Sequence, residues 1–131
     1  MEETQKPKLI LNPISKIVPE EYLRNNKTIE TLILLEGFTE IRKAAFSRCT
    51  NLKRVFLPES LEIIGESAFY ICINLTKIEI PDSVKTIGHY AFAWCDSLTE
   101  IKLPDKVKII EEFAFYDCKN LQEIIIDNTE E

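Results

Sequence analysis

The chain has little of what most enzymes and nucleic-acid-binding proteins use. It holds one histidine and three glycines in 131 residues, and it shows no phosphate-binding loop, nucleophile elbow or metal-binding histidine pair. A net charge of −6 and a pI of about 4.9 give none of the basic excess that nucleic-acid binding needs. No segment approaches the roughly 18 to 20 consecutive apolar residues of a membrane span. The sequence therefore predicts a non-enzymatic protein without cofactor, metal site, nucleic-acid partner or membrane span.

The first residues lack the pattern of a secretory signal. MEETQKPKLILNP is acidic at its start and is interrupted by Pro7 and Pro13, and no basic stretch precedes an apolar run. Two explanations remain open: the protein is cytoplasmic, or these residues are a segment of a longer exported protein. The length and an apolar fraction of 45% predict one domain with a continuous core.

What the chain has instead is one 23-residue pattern. We call a set of positions 23 residues apart a column. The clearest columns are Cys49, Cys72, Cys95 and Cys118; Ala45-Phe46, Ala68-Phe69, Ala91-Phe92 and Ala114-Phe115; Leu52, Leu75, Leu98 and Leu121; and Ile41, Ile64, Ile87 and Ile110. A period of this length predicts a solenoid in which each repeat stacks on its neighbours, with these columns buried.

Within a repeat the pattern predicts a strand, a turn and a short helical segment. Apolar and charged residues alternate through Ile78, Glu79 and Ile80, and Pro81 then ends the strand. Ala91, Phe92 and Cys95 would share one side of a helical turn. Strands are expected near residues 9–11, 32–34, 55–57, 78–80, 101–103 and 124–126, each but the last followed by a turn and a short helix or 3₁₀ segment.

The repeats also predict the domain organisation. Residues 1–8 form a poorly ordered N-terminus, residues 9–31 a divergent capping repeat, residues 32–54, 55–77, 78–100 and 101–123 the regular repeats, and residues 124–131 a terminal strand and tail. In the first repeat Tyr22 replaces the alanine and Asn26 replaces the cysteine. An atypical first repeat is typical of the repeat that closes one end of a solenoid.

The pattern LxxIxLPxSVxxIGxxAFxxCxxL resembles the BspA-like, treponemal-type leucine-rich repeats over residues 9–126, and LTKIEIPDSVKTIGHYAFAWCDSL is its clearest copy. The resemblance implies an α/β repeat fold, a curved right-handed solenoid with short parallel strands on its concave side and short helices or 3₁₀ turns on its convex side. Members of this family are commonly cell-surface or secreted proteins that bind host or matrix proteins and other cells. The chain departs from the pattern of leucine-rich repeats where their asparagine follows the strand, a column that holds Gly37, Ser60, Ser83 and Lys106.

The cysteine column has three interpretations. Stacked disulfides would need Cα atoms about 5.5 to 6 Å apart. A metal site would need closer spacing, because one cysteine per repeat gives a line rather than a tetrahedron. We favour the third, a column of free thiols that act as small core side chains. The single histidine, His89, lies in the column of Lys43, Glu66 and Glu112, which predicts a solvated position.

Two surfaces are candidates for binding a protein. On the concave face, the exposed strand positions predict an apolar strip with charged neighbours: Ile10, Ile33, Phe56, Arg54, Lys77, Glu79, Glu100 and Lys102. Exposed strands also favour β-branched and aromatic residues without any partner. The second candidate surface, on the convex side, consists of Tyr70, Ile71, Tyr90, Trp94, Phe113 and Tyr116, which would more simply fill space between repeats.

The C-terminal end is a third candidate contact. Ile124, Ile125 and Ile126 predict one more strand with an open edge, followed only by the polar residues 127–131. Because solenoids usually close such ends with a polar cap, we expect either a cut inside a longer array or a homodimer through this end.

Together these patterns favour a non-enzymatic protein–protein interaction module. By resemblance it would be part of a BspA-like cell-surface or secreted adhesion protein with an unidentified protein ligand. The alternative is an intracellular scaffold or self-assembling structural repeat protein, which free thiols and the missing signal favour.

Overall fold

The computed structural model describes residues 7–127, which form one stack of parallel repeats. The strands are β1 (Lys8–Leu11), β2 (Ile17–Val18), β3 (Thr31–Leu34), β4 (Glu40–Ile41), β5 (Arg54–Phe56), β6 (Ile63–Ile64), β7 (Lys77–Glu79), β8 (Thr86–Ile87), β9 (Glu100–Pro104), β10 (Ile109–Ile110) and β11 (Glu123–Asp127). The odd-numbered strands form a six-stranded parallel sheet in the order β1-β3-β5-β7-β9-β11, and the even-numbered strands form a five-stranded parallel sheet. Residues 1–6 of the N-terminus that was predicted to be poorly ordered lie outside the described residues, as do residues 128–131 of the polar tail.

The sheet register follows the 23-residue columns. Leu9 pairs with Leu32, Ile10 with Ile33, and the same step of 23 recurs between all neighbouring strands of both sheets. The predicted parallel strands are therefore confirmed. β1 begins at Lys8, within the segment that was predicted to be poorly ordered, because Lys8 pairs with Thr31. The second sheet was not predicted, since strands of two residues are too short to show alternation.

The prediction of short helices or 3₁₀ segments is wrong. Between residues 7 and 127 the chain has no helix, and the segment of each repeat that follows the second strand is a series of turns. Ten non-glycine residues have φ between 52° and 67°, and they fall into two columns: Glu21, Ala44, Ser67, Tyr90 and Phe113, and Asn25, Arg48, Ile71, Trp94 and Asp117. A left-handed residue interrupts an α-helix, so two of them within five residues exclude one.

Hydrogen bonds between repeats explain why this turn conformation persists. The N–H of Phe69 donates to the carbonyl of Ala91 at 2.8 Å, and the N–H of Ile71 donates to the carbonyl of Ala93 at 2.9 Å. Alternate N–H groups thus bond to the next repeat instead of to a carbonyl four residues earlier. We call this third side of the stack the turn layer (residues 20–26 and their columns); it occupies the place predicted for the convex helices.

The core lies between the two sheets and the turn layer. The Phe46, Phe69 and Phe92 rings are fully buried, and the rings of the phenylalanine column stack with centroids 5.4 to 5.6 Å apart, down to Phe115. The predicted inward columns are buried in the middle repeats. In the last repeat the expectation fails, because Ile110 is 45% exposed whereas Ile87 is fully buried. No described repeat lies over Ile110 and its neighbours.

Candidate protein-binding surfaces

An apolar strip lies on the open face of the six-stranded sheet, the predicted concave side. Ile10 pairs with Ile33 and Ile33 with Phe56 in the strand register, so the three side chains are direct neighbours. Ile10 is 52% exposed, Phe56 is 54% exposed and Ile33 is half-buried. Alternate strand positions point to the same face of a sheet, which is why Leu9, Leu32 and Val55 point inward while these three point out.

Charged side chains continue this face beside the strip. Arg54, Lys77, Glu100 and Glu123 are paired in register, so basic residues on β5 and β7 give way to acidic residues on β9 and β11. Glu79 pairs with Lys102, which in turn pairs with Ile125. The structure therefore brings together all eight residues predicted for the concave surface, and gives that face opposite charges at its two ends.

The same face contains a groove of about 590 Å³ above β5, β7 and β9. Phe56, Arg54, Lys77, Glu79 and Lys102 line it. Glu59 and Asp82 line it as well, although the sequence pattern did not single them out. Both belong to the turns that follow β5 and β7, where no alternation of apolar and polar residues indicates the direction of a side chain.

Aromatic rings of the turn layer contact one another across repeats. Tyr90 stacks on Phe113 with centroids 5.3 Å apart, and Trp94 meets Tyr116 edge-on at 5.1 Å and Tyr70 at 5.6 Å. Phe113 and Tyr116 remain 44% and 46% exposed. The guanidinium of Arg48 lies 5.5 Å from the centre of the Tyr70 ring.

Ring packing therefore accounts for the contacts within this cluster, and its role as a second binding surface stays a prediction. Ile71 is half-buried in the same layer. The cation–π contact of Arg48 was missed, because Arg48 and Tyr70 are 22 residues apart and belong to different columns.

The cysteine column consists of free thiols that form hydrogen bonds within the core. Cys49, Cys72 and Cys95 are fully buried, and all four cysteines are unpaired with one another. Cys72 donates to the Phe46 carbonyl at 3.3 Å and Cys95 to the Phe69 carbonyl at 3.2 Å. Burial raises the pKa of both thiols well above its ordinary value, so they are neutral donors rather than nucleophiles.

No cluster of metal-ligating side chains is present among residues 7–127. These residues contain no group of three or more histidine, cysteine or acidic side chains that could hold a metal ion. His89 is exposed, its Nδ1 lies 3.2 Å from the Glu112 carbonyl oxygen, and its Nε2 lies 3.6 Å from the Glu111 carboxylate. In the same range no helix has the length and hydropathy that crossing a membrane requires.

Thiol labelling is expected to report the burial of the cysteine column. At neutral pH without denaturant, an excess of a thiol reagent should leave Cys72 and Cys95 unmodified. In concentrated urea, all four cysteines should react within the same time. The reason for the protection in the folded chain is that the reacting thiolate is strongly disfavoured in the core. Mass spectrometry of peptides from the labelled protein measures the extent at each position. Rapid modification of Cys72 in the folded chain would contradict the buried column.

Comparisons with known proteins identify the same repeat architecture. A T. pallidum leucine-rich repeat protein of known structure shares 30% identity over 92% of this chain and 59% of its own, with a TM-score of 0.86. A leucine-rich cell surface protein from Faecalibacterium prausnitzii shares 25% identity over 95% of this chain and 33% of its own, with a TM-score of 0.89. The pneumococcal vaccine antigen PcpA shares 25% identity over 94% of this chain and 31% of its own, with a TM-score of 0.80.

The chain thus spans about a third to three-fifths of the length of these solved relatives. No curated protein matches it. The family model of the BspA-type leucine-rich repeat region matches residues 16–131 in six copies. By its repeats and by its fold, this chain belongs to the BspA-type leucine-rich repeat family.

Proposed function

We propose that the chain is a non-enzymatic protein-binding module of a cell-surface or secreted adhesion protein, and that the open face of the six-stranded sheet binds its partner. The observation that carries the proposal is the continuous strip of Ile10, Ile33 and Phe56 on that face. Contiguous exposed apolar side chains with polar neighbours are typical of interaction sites. One similar solved protein is a leucine-rich cell surface protein and another is a vaccine antigen, which supports a location at the cell surface.

The charged residues on β5, β7, β9 and β11 would favour one orientation of the bound partner. Arg54 and Lys77 would attract acidic groups, whereas Glu100 and Glu123 would attract basic groups two strands further along. Opposite charges at the two ends favour one direction of docking over its reverse and raise the association rate at low salt. The apolar strip supplies the area that excludes water.

Binding is expected to weaken strongly in the double variant Ile33→Thr with Phe56→Ser. Both side chains project from the sheet, so the melting temperature should change little while affinity falls by about tenfold or more. Biolayer interferometry against a panel of purified extracellular-matrix and serum proteins measures the affinity, and circular dichroism measures the melting temperature.

The matched control is Ile63→Thr with Ile109→Thr, two exposed isoleucines of the five-stranded sheet, at 37% and 49%. Their replacement should leave binding unchanged. If the first double variant binds every ligand of the wild-type chain with undiminished affinity, the sheet face is not the site, and the exposed rings of Phe113 and Tyr116 become the next surface to test.

The free thiols favour a second candidate, an intracellular scaffold. Four unpaired cysteines are common in reducing compartments and uncommon in exported proteins. Antibody labelling of intact and of permeabilised source cells separates the two. Adhesion requires signal on intact cells, and the scaffold requires signal only after permeabilisation.

A further inference from the structure

The two outer strands of the six-stranded sheet match each other residue by residue. β1 and β11 each pair on one side only within the described chain. When the 23-residue register is continued onto a second copy, Lys8 of that copy falls beside Glu123, and Ile10 falls beside Ile125. We propose that copies of this chain associate head to tail, with β1 of one copy adding in parallel to β11 of the next. This contact uses strand edges rather than the sheet face that is proposed to bind a partner.

Charge selects this arrangement over a twofold dimer. Lys8 begins the first strand, and Glu100 and Glu123 begin the last two, so the ends of the sheet carry opposite charges. Two β11 strands paired with each other would offer Glu123 no basic partner, because β11 contains no lysine or arginine. Like charges directly opposite one another destabilise a strand pair, whereas a lysine opposite a glutamate stabilises it.

The backbone hydrogen bonds of the turn layer also favour head-to-tail contact, because they all run in one direction between repeats. Its N–H groups donate toward the following repeat, as Phe92 does to the Ala114 carbonyl at 2.7 Å. At the last repeat the N–H groups of Phe115 and Asp117 have no acceptor among residues 7–127, and at the first repeat the carbonyls of Tyr22 and Arg24 have no donor there. In a head-to-tail contact, the N–H groups at the last repeat of one copy face the carbonyls at the first repeat of the next. In a tail-to-tail contact, the N–H groups of both copies would face each other.

β11 extends one repeat beyond the last turn-layer segment. The two turn-layer ends of a head-to-tail pair would therefore face each other across about two strand spacings, roughly 10 Å. Water can bridge donors and acceptors across such a gap. The direct contact is the strand edge, where Ile124 is 50% exposed and Leu9 and Leu11 are partly exposed.

A head-to-tail contact does not close on itself, so it predicts a series of species rather than one dimer. In sedimentation velocity, the weight-average mass of the wild-type chain should rise steadily as concentration increases through the micromolar range to about 100 µM, a range in which weak strand-edge contacts associate. In about 0.5 M salt, with a Debye length of about 4 Å, the series should shorten. A mass that stops at two copies would overturn the open series.

Charge reversal tests the pairing itself. Lys8→Glu and Glu123→Lys should each weaken association by about tenfold, because each places like charges together at the contact. An equimolar mixture of the two variants should restore wild-type association, since their reversed charges are complementary. Lys16→Glu, which makes the same charge change at an exposed position outside this sheet, should have little effect. Circular dichroism checks that every variant folds.

Three further results would overturn the proposal. The first is a monomeric wild-type chain at all concentrations, and the second is a mixture that associates no better than either variant alone. The third is stronger association of Glu123→Lys on its own, which would show a twofold contact between β11 strands instead.

Discussion

Replacing Phe69 by alanine is expected to lower the free energy of unfolding by about 3 to 5 kcal/mol. The ring is fully buried and is stacked between Phe46 at 5.5 Å and Phe92 at 5.4 Å. Its removal leaves a cavity between neighbouring repeats, and inter-repeat hydrogen bonds of the turn layer restrict the collapse that would fill it. Urea denaturation followed by circular dichroism measures the loss.

Phe115→Ala is the matched control. Phe115 belongs to the same column, but it is only half-buried and stacks on one described ring, that of Phe92. Its replacement should cost clearly less, about 1 to 2 kcal/mol. Equal losses at the two positions would show that neither the fuller burial of Phe69 nor its second stacked ring contributes to stability.

Alkaline pH is expected to destabilise the fold through the thiol column. Burial raises the pKa of Cys49 from its usual 9.0 to about 11 in the folded chain. Between these values the folded chain keeps a proton that the unfolded chain releases. The resulting stability is therefore fully present below about pH 9 and is lost as the pH rises toward 11. Two pKa units correspond to about 2 to 3 kcal/mol.

Cys49→Ser separates this effect from other alkaline titrations. The serine hydroxyl does not titrate in this range, and it can still donate to the Leu23 carbonyl that Cys49 contacts at 3.3 Å. Urea denaturation at a series of pH values should show a smaller loss of stability between pH 9 and 11 in the variant than in the wild-type chain. Parallel curves for the two proteins would mean that the Cys49 thiol does not contribute.

The sequence predicted the parallel sheet well because strand register in a solenoid is the repeat length itself. Any residue of a column, such as Ile33, must lie beside its counterpart Phe56 once the repeats stack. Strand alternation then assigned the residues of the sheet face. The acidic residues Glu59 and Asp82 could not be assigned in the same way, because they follow the ends of strands.

The turn layer was mispredicted for a physical reason. The spacing of Ala91, Phe92 and Cys95 fits one helical turn, and bulky residues such as Tyr90 and Trp94 usually avoid positive φ. In the stack both residues adopt it, with φ of 58° and 57°. Hydrogen bonds to the next repeat hold these conformations, and a single 23-residue pattern carries no sign of them.

The one-way hydrogen bonding of the turn layer gives this layer an electric axis, whereas N–H groups elsewhere, such as those of Gly65 and Gly88, donate to the preceding repeat. The alternate peptide groups of this layer that donate to the next repeat sum to a dipole, as peptide groups do in a helix, with partial positive charge where N–H groups are left over. In this layer that end is the last repeat, whose turn segment contains the exposed acidic residues Glu112 and Asp117. Acidic residues in the same segment as a positive dipole end are expected to stabilise this layer by an amount that added salt reduces.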